Sequence, residues 1–308
     1  MDIAIRPMPA KVFITGGAVF TMVLWAICFP LISLSLPYAP IMLTAFLRAA
    51  IAGFFLIVIA WMLGRPFPKS TKVYLYILGI GLTATSIGFW GMFYAGSLIT
   101  PGLATLLTNT QPLIAGLLGW HILNERIGKR ALLGTLLGFS GIVVISAESL
   151  FATDVQSLSG IAYVVIAAAG LAISNILLKK SANRVDVLYA MGFQLLLGAI
   201  PLSLLAFFNT SLPPLSWNWD YVWILLALAL PGTALPFILW FWLMDTAPLY
   251  KINVYSFLTP VFGLYLGYTY FAESLSSIQW LGIFPGYSRH TSGEFVNQSS
   301  GMRKYEIG

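Results

Sequence analysis

Charge is scarce in this sequence. Only 8% of its 308 residues are Asp, Glu, Lys or Arg, whereas 59% are hydrophobic. A soluble domain carries roughly 25% charged residues, because charged side chains have to cover its surface. The shortage of charge therefore excludes an ordinary soluble domain and predicts an all-α membrane protein whose apolar helices face lipid.

Residues that bind metals or perform acid–base chemistry are also few. The chain has one cysteine, Cys28, and two histidines, so no disulfide or cysteine-based metal site can form within it. Every Asp and Glu falls in a connection or at a helix end rather than in the middle of an apolar run. An intramembrane enzyme would need a cluster of such groups at one depth. We predict that the chain is not an enzyme and needs no metal or cofactor.

Apolar runs of about 20 residues, the length that crosses a bilayer, recur along the chain. The predicted spans are 13–36, 41–63, 73–96, 101–123, 131–147, 159–178, 187–208, 221–243 and 252–271. A tenth run starts at Ile278, but the sequence becomes polar from Ser288, so hydropathy does not support a complete tenth helix. Either the last span is short and partly polar, or the C-terminus is altered or truncated.

Lys and Arg occur only in alternate connections. With the N-terminus in the cytoplasm, every cytoplasmic segment carries basic residues and the outer connections carry none. By the positive-inside rule, this asymmetry predicts that the N-terminus lies in the cytoplasm. It also explains the net charge of +6 without a nucleic-acid partner. Arg48 is the single basic residue left inside a span.

The chain resembles itself at an offset of 148 residues. The offset aligns five pairs of like residues: Pro112 and Pro260, Gly119 and Gly267, Glu125 and Glu273, Gly134 and Gly282, Gly138 and Gly286. Each copy holds five spans, an odd number, so the second copy must enter the membrane upside down. The predicted units are 13–147 and 159–286, followed by a polar cytoplasmic tail at 287–308. Inverted repeats suit alternating access around a site near the bilayer midplane.

The segment from Met92 to Ile145 resembles the EamA-type repeat of the drug/metabolite transporter superfamily. The residues that carry the resemblance are Pro112, Glu125, Gly134, Gly138 and Gly141, with Pro260, Glu273, Gly282 and Gly286 in the second copy. The resemblance covers roughly residues 13 to 286. Within the superfamily, the chain looks most like bacterial exporters of aromatic amino acids and related metabolites. The resemblance implies ten transmembrane helices in two inverted five-helix repeats, both termini cytoplasmic, in a bacterial inner membrane.

Polar and aromatic side chains inside the spans are the candidate substrate contacts, since a polar group in lipid is costly unless it faces a cavity or another helix. They are Trp25, Arg48, Phe89, Trp90, Thr108, Asn109, Gln111, Asn175, Gln194, Trp240, Asn253 and Tyr255. Interhelical hydrogen bonding and packing are the alternative roles. Arg48 could attract a substrate carboxylate, extend to the membrane surface, or neutralise a helix C-terminus.

Proline and glycine inside the spans mark candidate hinges, because proline removes a helical hydrogen bond. The candidates are Pro30, Pro112, Pro231, Gly232, Pro236 and Pro260. A static kink is the alternative at each position.

These observations predict a monomeric transporter, surrounded by lipid, that exports small amphipathic metabolites such as aromatic or hydrophobic amino acids. Because no acid lies within a span, we expect transport without proton coupling, with His121 as the one remaining proton-relay candidate. The alternatives are a proton-coupled multidrug or metabolite exporter of the same superfamily and, in another class, a channel-like pore.

Overall fold

The computed structural model describes residues 11–124, 155–208 and 215–271, with Leu133 and Ser140 in isolation. Within these ranges the chain is helical and contains no β-strand. The predicted spans 131–147 and 278 onward, the two glutamates Glu125 and Glu273, and the tail 287–308 lie outside the described residues.

Eight helical units occupy the described ranges. They are α1 (Lys11–Ala26 continued by Cys28–Ser35), α2 (Ile41–Met62), α3 (Thr71–Leu98), α4 (Pro101–Thr108 and Gln111–Ile122), α5 (Val155–Ser181), α6 (Val187–Phe208), α7 (Trp219–Thr246) and α8 (Leu249–Asn253, the 3₁₀ turn Val254–Phe257, and Leu258–Phe271). Six of them, all but α4 and α8, are long and apolar enough to cross a membrane. The fold is therefore that of an all-α, multi-pass membrane protein.

Two units contain a π-helical segment. In α3 it covers Gly81–Ile87, and in α7 it covers Leu230–Ala234. A π-helical turn leaves the regular hydrogen-bond ladder of the α-helix, and such turns are frequent at functional sites. In α7 the cause is visible in the sequence, because Pro231 has no backbone N–H to continue that ladder.

The units α4 and α8 are interrupted at corresponding places. In α4 the helix stops at Thr108 and restarts at Gln111, next to Pro112. In α8 a 3₁₀ turn ends at Phe257, and the α-helix restarts two residues before Pro260. Each interruption leaves polar side chains beside backbone groups that are not in a regular helix.

Helix bounds match between the two halves of the chain. Both α3 and α7 have 28 residues, and their first and last residues are 148 positions apart. Both α2 and α6 have 22 residues, and their bounds are 146 positions apart. The first helices of α4 and α8 begin 148 positions apart, at Pro101 and Leu249.

The central packing contact joins α2 to α6. Along one face of α2 the buried residues are mostly small: Ala45, Ala49, Ala52 and Gly53. A Cβ atom on Gly53 would lie 2.9 Å from the backbone oxygen of Gly192. In lipid, where the hydrophobic effect does not drive helices together, such small residues let two helices gain close contact. Large side chains such as Phe54 and Trp61 lie on the exposed side.

Matching helices run in opposite directions. Gly53 of α2 lies against residues 192 to 196 of α6, whereas Ile57, one turn later, lies against Gly192, the first residue of that stretch. In the same way, Thr105 of α4 lies against Gly263 of α8, and Gly119 lies against Leu249.

Two other close pairs are also antiparallel. Gly17 of α1 contacts Trp242 of α7, and Cys28 contacts Gly232. Gly79 of α3 contacts Leu177 of α5, and Gly91 contacts Tyr163.

Candidate functional site

The helical units line a cavity of about 90 Å³. Every one of the eight contributes to its wall. The apolar part of the wall is formed by Trp25, Phe29, Ile80, Ala84, Phe89, Met92, Leu171, Leu178, Met191, Phe237 and Trp240. The polar part is formed by Arg48, Thr105, Thr108, Asn109, Gln111, Ser174, Asn175, Gln194, Ser256 and Thr259. The lining therefore combines aromatic surface, hydroxyl and amide groups, and one cation.

Arg48 is the charged residue of the lining, and it is only 2% exposed. Its Nε donates to Thr233 Oγ1 at 2.6 Å, and its Nη2 donates to the Gly232 carbonyl at 3.1 Å and to Cys28 Sγ at 3.3 Å. Gly232 and Thr233 both belong to the π-helical segment of α7. The third nitrogen, Nη1, has no hydrogen-bond partner among the described residues.

The burial of Arg48 excludes one of the three roles that the sequence suggested for it, extension to the membrane surface. The side chain turns inward instead, lines the cavity and donates hydrogen bonds to the π-helical segment of α7. The physical reason is that Thr233 and Gly232 offer hydrogen-bond acceptors inside the bundle, which the sequence pattern of α2 alone does not reveal.

Aromatic rings continue from Arg48 across the cavity wall. The Arg48 Cζ lies 4.3 Å from the centre of the Phe89 ring, a cation–π distance. Phe89 stacks on Phe237 with centroids 6.3 Å apart, and Phe237 meets the edge of Trp25 at 6.4 Å. Trp25 contacts Trp240 at 5.0 Å, which completes a wall suited to a flat apolar ligand.

The far end of this aromatic wall is fixed by an amide. Trp240 Nε1 donates to Asn175 Oδ1 at 2.9 Å. Because the indole N–H is satisfied, the ring has one defined orientation in an otherwise apolar surface.

Gln194 lines the cavity from α6. Its Oε1 accepts a 2.7 Å hydrogen bond from Thr85 Oγ1, which belongs to the π-helical segment of α3. The neighbouring Ser86 Oγ donates to the Gly198 carbonyl at 2.8 Å, so two hydrogen bonds join this segment to α6.

The interruptions of α4 and α8 bring polar atoms without partners to the cavity. Asn109 Nδ2 donates to the Thr105 carbonyl at 3.1 Å, but Asn109 Oδ1 is buried without a partner among the described residues. Ser256 Oγ in α8 is also buried without a partner among the described residues. Since buried polar groups are normally paired, these atoms are candidate hydrogen-bond partners for a ligand or for water.

Nine of the twelve predicted contact residues line this cavity. They are Trp25, Arg48, Phe89, Thr108, Asn109, Gln111, Asn175, Gln194 and Trp240. That these residues bind a substrate stays a prediction.

Three predicted contact residues lie outside the lining. Trp90 packs on Tyr163, with ring centroids 5.0 Å apart. The Tyr255 hydroxyl is 3.0 Å from that of Thr15. Asn253 is buried, and neither atom of its amide has a partner among the described residues, but it does not face the cavity.

The predicted hinges lie at the observed irregularities. Pro30 follows the break between the two helices of α1, Pro231 and Gly232 belong to the π-helical segment of α7, and Pro236 follows it. Pro112 and Pro260 follow the interruptions of α4 and α8. Whether these places move stays a prediction.

Several lining residues were not predicted, and the repeat would have identified some of them. Phe237 is 148 positions after Phe89, and Trp240 is 148 positions after Met92. Ser256 and Thr259 likewise follow Thr108 and Gln111 by 148. Thr105 precedes the predicted contact residue Asn253 by 148, whereas Ser174 carries no comparable signal.

Comparison with known proteins identifies the family. The family model described as the EamA-like transporter family matches residues 14–147 and again 158–288. YvbV of Bacillus subtilis (strain 168), named an uncharacterized transporter, is 27% identical over 264 residues, covering 83% of each chain. A protein of Salmonella typhimurium named a probable amino-acid metabolite efflux pump is 27% identical over 274 residues, covering 86% of this chain and 89% of its own.

A solved crystal structure has the same fold. Its TM-score is 0.70 at 22% identity, covering 89% of this chain and 93% of that one.

The family matches confirm the resemblance predicted from the Pro, Gly and Glu pattern, as well as the prediction that the chain is not an enzyme. Two copies of the family domain fill most of the sequence, and the relatives span nearly the same length. This chain belongs to the EamA-like transporter family and is a multi-pass membrane transporter.

Proposed function

We propose that this transporter exports small amphipathic metabolites, with aromatic or hydrophobic amino acids as its main cargo. The observation that carries the proposal is the composition of the cavity, in which an aromatic wall begins at a buried arginine and ends at an amide. A ring fits the aromatic side chains, and a polar head fits the cation and the amides. The name of the Salmonella relative, a probable amino-acid metabolite efflux pump, supports the same cargo.

We also propose ten transmembrane helices in two inverted five-helix repeats that operate by alternating access. Matching helix bounds support a repeat, and the opposite directions of α2 and α6, and of α4 and α8, support its inversion. A cavity whose wall comes from both halves is the expected position for the binding site of such a carrier.

The proposed orientation places the N-terminus in the cytoplasm of a bacterial inner membrane. Arg65 lies 3.9 Å from Asp186, and Lys179 bonds carbonyls at the end of α7, so basic residues from separate connections meet at one end of the bundle. At the other end, the Ser216 N–H donates to the Tyr38 carbonyl, and residues 36–40 and 215–218 contain no Lys or Arg. The positive-inside rule assigns the first end to the cytoplasm.

The same proposal has the chain working as a monomer without proton coupling. The cavity is formed within one chain, so no second copy is needed to complete it. Among the described residues its lining contains no Asp, Glu or His, which are the usual proton carriers in membranes. His121, the remaining candidate, is exposed at the end of α4.

The proposal is tested by uptake of labelled L-phenylalanine into proteoliposomes. We expect flux that saturates with concentration and follows the phenylalanine gradient, and a pH difference alone should not produce accumulation. Trp240→Ala should lower flux at least about tenfold, because a cavity ring is removed, and Trp61→Ala on the exposed face is the matched control. Unsaturable flux would indicate a pore, and accumulation driven by pH would indicate proton coupling.

A further inference from the structure

The guanidinium of Arg48 is held in one orientation. Thr233 and Gly232 accept from Nε and Nη2, and the Phe89 ring covers one face of the group. Nη1 therefore remains as the nitrogen whose two N–H groups have no acceptor among the described residues. A pre-oriented donor of this kind can bind an anion without losing side-chain freedom.

Among the described residues, the positive charge of Arg48 also lacks a counter-charge. The acceptors that surround it are a hydroxyl, a carbonyl and a thiol, and among the described residues the cavity lining contains no carboxylate. A buried, uncompensated charge is unfavourable, so an anion that enters the cavity is stabilised by Arg48 and stabilises it in turn.

The apolar wall determines what else the ligand must carry. It starts at the arginine with Phe89 and continues through Phe237 to Trp25. A molecule with a carboxylate at one end and a flat or branched apolar group at the other would contact both features at once.

An ammonium group has no charged partner at this site. The buried atoms without partners that could accept from it are Asn109 Oδ1 and Ser256 Oγ, which are neutral. The cavity therefore contains a specific group for a carboxylate and only general polar groups for an amine.

We infer that the carboxylate is the obligatory recognition element of the substrate and that the amino group is dispensable: the substrate class is small aromatic or branched-apolar carboxylates, bound through Nη1 of Arg48. The inference rests on the proposed transport function and deepens it, since amino acids form one part of this class.

Three compounds with the same phenyl ring separate the two head groups. L-phenylalanine has both, 3-phenylpropionate has only the carboxylate, and 2-phenylethylamine has only the amine. Ligand-induced stabilisation of the purified protein against heat in detergent reports binding of each one without a contribution from membrane permeation. We expect 3-phenylpropionate to bind within about threefold of L-phenylalanine and 2-phenylethylamine to bind at least about tenfold more weakly.

The outcomes separate this inference from the proposed function. If the amine binds as well as the carboxylate, the inference is overturned, while export of amphipathic metabolites still stands. If 3-phenylpropionate binds and L-phenylalanine does not, amino-acid export fails and the inference stands. If none of the three binds, both are overturned.

Substitution of Arg48 tests the assigned group. Arg48→Gln should lower the affinity for 3-phenylpropionate at least about tenfold and leave the weak binding of 2-phenylethylamine unchanged. Arg48→Lys keeps the charge but loses the fork of donors, and should give an intermediate affinity. Unchanged carboxylate affinity in either folded variant contradicts the role of Arg48. If neither variant folds, the three-compound series on the unmodified protein decides.

Discussion

Arg48 and Gln194 stand 146 positions apart, at the same place in α2 and α6, and each is hydrogen-bonded to a threonine of a π-helical segment in the other half of the chain. Arg48 Nε donates to Thr233 at 2.6 Å, and Gln194 Oε1 accepts from Thr85 at 2.7 Å. The two threonines are themselves 148 positions apart. Two hydrogen bonds at matching positions thus join the two halves of the chain, but only the one from Arg48 involves a charged group.

The contact between Thr85 and Gln194 can be tested by a double-mutant cycle. Thr85→Val leaves the buried Gln194 oxygen without its donor and should lower the free energy of unfolding by about 1–3 kcal/mol. Gln194→Leu should cost a similar amount, whereas the double variant should cost less than the sum of the two. Thermal unfolding in detergent measures all three. Additive losses would show that the two side chains are not energetically coupled.

A methyl group at Gly198 should disrupt the contact between α3 and α6. A Cβ there would lie 2.4 Å from the Gly81 carbonyl oxygen, which is backbone and cannot move aside. We expect Gly198→Ala to lower the free energy of unfolding by about 1–3 kcal/mol through overpacking. Gly119→Ala is the matched control, because its Cβ would meet only the ends of two side chains, Leu249 at 3.7 Å and Ile176 at 4.0 Å. Equal melting temperatures for the two variants would disagree with the packing.

Lys179 stabilises the end of α7 by donating to two carbonyls. Its Nζ lies 2.6 Å from the Met244 oxygen and 2.7 Å from the Ala247 oxygen. Lys179→Met should therefore cost about 1–3 kcal/mol of stability, since the partners at this helix end lose a charged donor. The neighbouring Lys180 is exposed, and Lys180→Met removes the same charge with an effect within about 0.5 kcal/mol. Thermal unfolding compares the pair, and equal losses would point to charge alone.

We expect substitution of Pro231 to change the transport rate more than the affinity for substrate. An alanine there restores a backbone N–H, which favours a regular helix over the π-helical segment that presents Gly232 to Arg48. We expect Pro231→Ala to lower the maximal flux about three- to tenfold, with half-saturation changed less than threefold. Pro201→Ala, inside α6, is the control, because no π-helical segment is found there. Unaltered flux in Pro231→Ala would mean that the kink is static.

The sequence was sufficient to predict most helix positions. The predicted span 187–208 coincides with α6, and the predicted span 41–63 ends one residue beyond α2. Long apolar runs bounded by polar residues define such helices almost without ambiguity, because lipid requires every backbone group to be paired internally.

The rotation of each helix could not be predicted in the same way. The two sides of a membrane helix are both apolar, so hydropathy does not separate the face toward lipid from the face toward the cavity. Trp90 and Phe89 are adjacent and equally apolar, yet only Phe89 lines the cavity. Arg48 shows the same limit, since its inward direction depends on Thr233 and Gly232, which are distant in sequence.

Opposite insertion of the two halves can be tested by finding which side of the membrane each of two matching residues faces. Lys72 and Asp220 are 148 positions apart, and both are exposed near the start of α3 and of α7. With Cys28→Ser as the background, Lys72→Cys and Asp220→Cys are labelled separately with a membrane-impermeant thiol reagent in intact cells and in inside-out vesicles. We expect labelling of position 220 in intact cells and of position 72 only in inside-out vesicles. Labelling of both positions from the same side of the membrane would contradict it.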